Sequence, residues 1–357
     1  MPAGLGARFQ PRFFEANYWI SLTPMNEQIA TQPPEIVALS APPSLLSSSW
    51  TRRIRMGDLV ARGITFLAAL SVLVITVALA WELYKGSVPS IKEFGWKFIT
   101  QKTWDPVFLS FGSITFLFGT LITSVIALLL AVPVGIGAAI FLAELAPRAI
   151  SSALTFVIEL LAAVPSVIYG LLGIFVLVPF MREHGGASLK AALGFLPIFS
   201  GPNYGVGVLT AGIVLAVMIV PFIISISREV LLAVPREQRE ASMALGATHW
   251  ETTWHVAMVY ARSGIFGSIF LALARALGET MAVTMVIGNT PQISASLFAP
   301  GYTMAAVIAN EFTEATGDLY LSALVEIGLL LFVMTMIINA LARLLIWSTV
   351  RKQGAAA

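Results

Sequence analysis

Six blocks of continuous apolar residues punctuate the chain, at about 64–84, 112–143, 152–180, 205–227, 263–289 and 319–347. Each is long enough to cross a hydrocarbon core about 30 Å thick at about 1.5 Å of rise per residue. None shows the alternating pattern of a transmembrane barrel strand. The pattern predicts an all-α membrane protein with six transmembrane helices spread over residues 51–350. Residues 1–50 hold prolines, serines and scattered aromatics without a run of spanning length, and read as a disordered N-terminal tail. Residues 351–357 read as a short C-terminal tail. The first block follows Arg52, Arg53, Arg55 and Arg62 and looks like an uncleaved signal anchor.

Composition agrees with the pattern. Of 357 residues, 57% are apolar and 11% charged, and mean hydropathy is +0.86, whereas soluble domains carry about 25% charge. The chain has no cysteine, and His184, His249 and His255 lack metal-ligand spacing, so thiol and metal chemistry are not expected. The reading includes no cofactor and no nucleic-acid partner. Net charge is only +2, and the informative quantity is where the cations lie. With six crossings, fourteen Lys and Arg fall on the side of the termini and six on the other, and Arg275 falls inside a block. Cationic loops stay inside, which puts both termini and the long 228–262 connection in the cytoplasm.

None of the six lysines ends a Gly-rich phosphate-cradling loop, and no soluble stretch is long enough for an appended ATPase. Any ATP is therefore expected to be hydrolysed by a partner, and no enzymatic activity is expected of this chain. The segment that could meet such a partner is the 228–262 connection. Pro235 suits a helix first turn, residues 237–244 are mostly helix formers, and Gly246 is a natural stop. The product is a short amphipathic helix.

Glu240-Ala241-Ser242, Gly246, and then Val256 and Met258 ahead of a new apolar helix resemble the EAA loop of ABC-importer permeases. Ser242 stands where that pattern has a second alanine, and Val259 where it usually has proline. The strings Phe141–Pro147, Ala163–Leu171 and above all Arg275–Val283 are similar to the phosphate permeases of bacterial plasma (inner) membranes, over roughly residues 55–350, and the long first outer loop and the order of the motifs resemble the C-type subunit. The resemblance implies the type I ABC importer permease fold. It also implies a heterodimer with a second permease subunit, two ATP-binding cassette subunits and an extracytoplasmic phosphate-binding protein, with inorganic phosphate as cargo and lipid around it. Arg236, Glu237, Glu240, Ala241 and Gly246 would form the ATPase-coupling loop. A permease for sulfate or molybdate, or an ATP-independent secondary transporter, is the alternative.

Two further features stand on the residues themselves. Arg275 and Glu279 lie inside an apolar block, where an ionised side chain costs about 2.5–3.5 kcal/mol and faces a bundle interior or a water-filled path. At i and i+4 they are expected to share a helix face, either as an ion pair that permits insertion or as a translocation site in which the guanidinium meets an oxyanion. Glu159 and Glu326, also within blocks, are expected to hydrogen-bond to neighbouring helices. The 85–106 loop carries Trp96 and Trp104, expected either to receive the binding protein or to anchor the membrane interface.

Overall fold

The computed structural model describes the backbone of residues 48–354 and the side chains of residues 60–347. The expected tails at 1–50 and 351–357 lie outside the described residues, except that helix covers 48–50 and 351–354. Internal contacts divide the chain into Met1–Ala69 and Leu70–Ala357. In the first unit, residues 60–69 are exposed all round.

Six helices are long and apolar enough to cross a membrane: Val60–Phe94, Ile114–Leu145, Ser166–Leu193, Val208–Leu232, His249–Leu277 and Asp318–Trp347. The principal elements are α1 (Ser48–Phe94), α2 (Ile114–Ile140), α3 (Arg148–Ala162), α4 (Ser166–Leu172) and α5 (Val208–Leu232). They continue as α6 (Arg236–Ala244), α7 (Met258–Leu277), α8 (Met281–Ile287), α9 (Met304–Glu311) and α10 (Asp318–Gly354). A two-stranded antiparallel ribbon, β1 (Trp104–Asp105) and β2 (Ser110–Phe111), joins the first two spans.

The bundle is organised around α5, which packs against α2, α3, α7 and α8. In lipid no water competes for apolar surface, so helices associate through close packing of small residues. The α2–α5 pair does this in both directions. A Cβ on Gly135 would meet Ile223 at 2.7 Å, and one on Gly212 would meet Ile126 at 2.5 Å. Ala127, Ala131, Leu215 and Ile219 between these glycines are fully buried. A hydrogen bond between the buried Ser227 and Ser268 hydroxyls, 2.8 Å, ties α5 to α7.

Three expectations about the blocks are corrected. The 152–180 block is not one helix: Pro165 lacks an amide proton and restricts the residue before it, so the chain breaks after Ala162. The span then runs over Ser166–Leu193, and α3 stands outside it. The 263–289 block is also two helices, because α7 stops at Leu277 and α8 begins at Met281. Finally, the 228–262 connection shrinks to residues 233–248, since helix continues to Leu232 on one side and restarts at His249 on the other. A capping box starts the second of these: Thr248 Oγ1 accepts from Glu251 N, and Glu251 Oε2 accepts from Thr248 N at 2.8 Å.

The glycine contacts yield a stability test. Gly212→Val inserts a branched side chain against Ile126 and should destabilise the folded chain by about 1–3 kcal/mol. It should lower the thermal midpoint of the detergent-purified protein, whereas Gly137→Ala, where a Cβ has open space, should leave that midpoint in place.

Candidate functional site

Arg275 lies in the last turn of α7 and Glu279 in the link beyond it, so the expected shared helix face does not exist. Gly278 ends the helix between them. Among the described residues no ion pair joins the two side chains. Each has its own partner. The Arg275 guanidinium carbon lies 5.8 Å from the centre of the Phe222 ring on α5, and its charge reaches the Tyr169 hydroxyl on α4 electrostatically. Glu279 Oε1 accepts from Ala282 N at 3.1 Å and so satisfies an otherwise orphaned amide in the first turn of α8. A cation at a helix C-terminus and an anion at a helix N-terminus are each favoured by the aligned peptide dipoles. The two charges thus accommodate themselves at two helix ends rather than through one another. Arg275 remains exposed on the isolated chain, and Glu279 is half-buried.

The loop helix α6 is where the sequence places it, and residues Arg236, Glu237, Glu240 and Ala241 are all exposed on it. Its end is a Schellman motif: Ala247 N donates to Ser242 O and Gly246 N to Met243 O, with Gly246 at φ +93°. That backbone conformation explains the glycine, since a Cβ there would meet nothing within 4 Å. Leu245 beside it is 91% exposed, a large apolar side chain presented at the tip of the loop. Ser242, the departure from the loop pattern, accepts a hydrogen bond from Thr252 Oγ1 at 3.1 Å and fastens α6 to the next helix.

A residue outside the expected set holds α6 in place. Arg239 Nη1 donates to Val234 O, and Nη2 donates to both Leu231 O and Glu144 Oε1, each at 2.7 Å. The two side chains of the ion pair are only 18% and 12% exposed. The guanidinium fork therefore closes on the end of α5 and, through Glu144, on the helical turn that extends α2. Both residues lie in strings singled out in the sequence, but a single acid and base 95 positions apart carry no pairing signal.

At the opposite end of the bundle the docking expectation divides. Trp104 is corrected to a packing residue: its ring centre lies 4.8 Å from Phe111 and 5.0 Å from Phe116, and Nε1 donates to Glu311 Oε2 at 2.7 Å. Tyr320 donates to the same oxygen at 2.7 Å. Nearby Tyr302, in the loop before α9, is pushed up to about 12 by burial above all. Trp96 instead is 85% exposed, as are Val107 (84%) and Phe108 (81%) at the tip between β1 and β2. An Asx turn shapes that tip, with Asp105 Oδ1 accepting from Val107 N and Phe108 N.

Six spans, two of them the interlocked α2–α5 pair, with an exposed helical loop between the fourth and fifth, are the architecture of an importer permease. Residues 131–348 match the family described as "Binding-protein-dependent transport system inner membrane component", and the chain belongs to that family. It is similar to the phosphate transport system permease protein PstC of Mesorhizobium japonicum, 47% identical over 308 residues that cover 85% of this chain and 94% of the relative. The protein of the same name in Haemophilus influenzae is 48% identical over 294 residues, covering 81% and 93%. Among solved structures, a bacterial alginate ABC transporter in complex with an alginate pentasaccharide-bound periplasmic protein matches with a TM-score of 0.53. It covers 80% of this chain and 94% of its own at 14% identity, a likeness of fold.

The Arg239 contacts predict unequal effects of removing its two ends. Arg239→Ala removes three hydrogen bonds and leaves Glu144 buried without a counter-charge, a loss of about 3–5 kcal/mol for a buried pair, whereas Glu144→Gln keeps both backbone bonds of Arg239. Hydrogen exchange of the amides of residues 236–244 should accelerate strongly in the first variant and weakly in the second; equal acceleration would contradict this anchoring.

Proposed function

We propose that the chain is the permease subunit of an ATP-driven importer for inorganic phosphate and supplies half of the translocation pathway. The observation that carries the reading is the 45–48% identity to proteins named phosphate transport system permease, over about four-fifths of the chain. The other half comes from a second permease subunit, energy from two ATP-binding cassette subunits at α6, and cargo from an extracytoplasmic phosphate-binding protein. The excess of Lys and Arg on the α6 side supports cytoplasmic termini and a cytoplasmic α6.

Within this reading Arg275 lies on the path. Its guanidinium is exposed on this chain alone, stands at a break in a membrane helix, and has no carboxylate bound to it among the described residues. Discontinuous helices are where membrane transporters commonly place ionic cargo, and a planar five-donor cation suits a phosphate. Glu279 caps α8 and keeps the break in shape. Trp96 and the apolar tip at Val107 and Phe108 face the side opposite α6, where the binding protein delivers its load.

Arg275→Gln should reduce phosphate uptake by about tenfold or more, the equivalent of one charge-assisted hydrogen bond worth roughly 1.5–3 kcal/mol, at unchanged membrane abundance. Because Arg275 and Glu279 are not paired, adding Glu279→Gln should not restore uptake. Near-normal uptake by the double variant would reject the pathway role. The loop is tested separately: Gly246→Val, strained at a positive φ, should uncouple ATP hydrolysis from uptake, while Gly246→Asn, which tolerates that conformation, should stay coupled. Coupling unaffected by Gly246→Val would remove α6 from the transmission of ATP-driven motion.

A further inference from the structure

The end of the bundle that carries α6 holds a second group of cations with no part in the site above. Between α3 and the last turns of α5 lies a cavity of about 530 Å³, lined among others by Arg148, Ser152, Thr155, Glu159 and Arg228. Arg228 is the unusual member. Its side chain is 16% exposed and, among the described residues, its one ion pair, 2.9 Å, is with Glu229, which is itself 70% exposed. Its Nε is buried without a hydrogen-bond partner, and so is Thr155 Oγ1 on the facing wall. Ser151 is already satisfied, donating to Leu142 O at 2.8 Å. Arg148, in the first turn of α3, is exposed at the rim.

A buried donor left unpaired costs about 1–3 kcal/mol, more when it is charged, so an acceptor belongs in this cavity. Two guanidinium groups and the unpartnered Thr155 hydroxyl in one lining suit an oxyanion, and phosphate oxygens match the guanidinium fork. Glu159, the one acid in the lining, sits about 16 Å along α3 from Arg148 and one turn beyond Thr155, at 1.5 Å per residue, so the anion belongs toward the Arg148 end. The surroundings indicate what the anion is attached to. Ile150, Leu154, Phe156, Val157 and Leu160 on α3 are large, apolar and exposed. The helix also lies between the spans Ile114–Leu145 and Ser166–Leu193, hence at the membrane boundary, where basic pockets between helices take lipid headgroups.

We propose that the cavity between α3 and α5 binds a phosphate-bearing anion, and that its source is the headgroup of an anionic phospholipid whose acyl chains lie along the exposed apolar side chains of α3. The site is separate from Arg275 and does not depend on the identity of the transported cargo.

The test uses the full-length chain, purified in detergent with the subunits that accompany it. It is titrated with dioleoylphosphatidylglycerol and with dioleoylglycerol, which has the same acyl chains and no phosphate, and bound lipid is counted by native mass spectrometry. Phosphatidylglycerol should be retained in preference, and Arg148→Gln should weaken its retention about tenfold, the scale of one charged hydrogen bond. Arg148 is exposed, so this variant leaves the packing intact; Thr155→Val, nearly isosteric, should weaken retention less. Inorganic phosphate at millimolar concentration is the competing probe. Displacement of the lipid by phosphate in the native chain but not in Arg148→Gln would uphold the anion site and overturn the lipid as its source. Equal retention of the two lipids, or retention indifferent to Arg148→Gln and Arg228→Gln alike, would overturn the proposal.

Discussion

A chain surrounded by hydrocarbon has no water with which to satisfy its backbone, so every amide and carbonyl at membrane depth must find a partner within the protein. Continuous helices meet that demand by themselves, and each interruption has to be repaired. After the break at Pro165, the Tyr169 hydroxyl donates to Leu161 O at 2.7 Å, across the turn between α3 and α4. Where α8 restarts, the Glu279 carboxylate serves Ala282 N. At the start of α9, Thr120 of α2 reaches across to accept from Met304 N at 3.0 Å. Other hydroxyls in the apolar blocks, such as Ser124 and Thr284, instead donate to the carbonyl one turn back in their own helix.

The two ends of the bundle differ in kind. The end carrying the β1–β2 ribbon is closed by aromatic rings, with Phe111 stacked on Tyr320 at 5.3 Å and the Trp104 and Tyr320 side chains sharing one Glu311 oxygen. Directional bonds to a single carboxylate fix those rings in one arrangement. The α6 end is held by a few charged hydrogen bonds around exposed helix. Between the two ends the core along α2, α5, α7 and α8 is made of small and branched aliphatic residues. Along α1, by contrast, residues 70–79 are all exposed, apolar surface left for lipid or for another subunit to cover.

How much of this is legible in the sequence depends on the range of the interaction. The number of spans and the helix Arg236–Ala244 follow from local pattern, because hydropathy, helix propensity and the Gly246 stop act within a few residues. The breaks after Ala162 and Leu277 have local signals too, Pro165 in one case and Gly278 in the other, but an unbroken apolar run hides them. Hydropathy measures where a segment can sit and not whether its backbone is continuous. Arg275 stands out as a charge in an apolar block, whereas its relation to Glu279 is hidden, because i,i+4 spacing has meaning only inside one helix. Trp104 is obscured for the complementary reason: an indole in a loop reads as surface, and its enclosure depends on the ribbon pairing that brings Phe111 opposite it and on Tyr320 from the last span. The Arg239–Glu144 contact is wholly tertiary and had no local signal.

The Arg239 fork has a mechanical consequence. Because it closes at once on the last carbonyls of α5 and on the turn that extends α2, a displacement of α6 is not absorbed by a hinge at residues 233–235 but is shared between both helices. Those two are also the pair interlocked through Gly135 and Gly212, which opposes sliding of one past the other and makes a paired rod of them. Phe222, on which the Arg275 guanidinium rests, projects from the middle of that rod. Pro221 lies inside α5 immediately before Phe222, and an internal proline is where a helix bends, so in the proposed import cycle a tilt applied at α6 would be turned at that proline into a change in the footing of one cation.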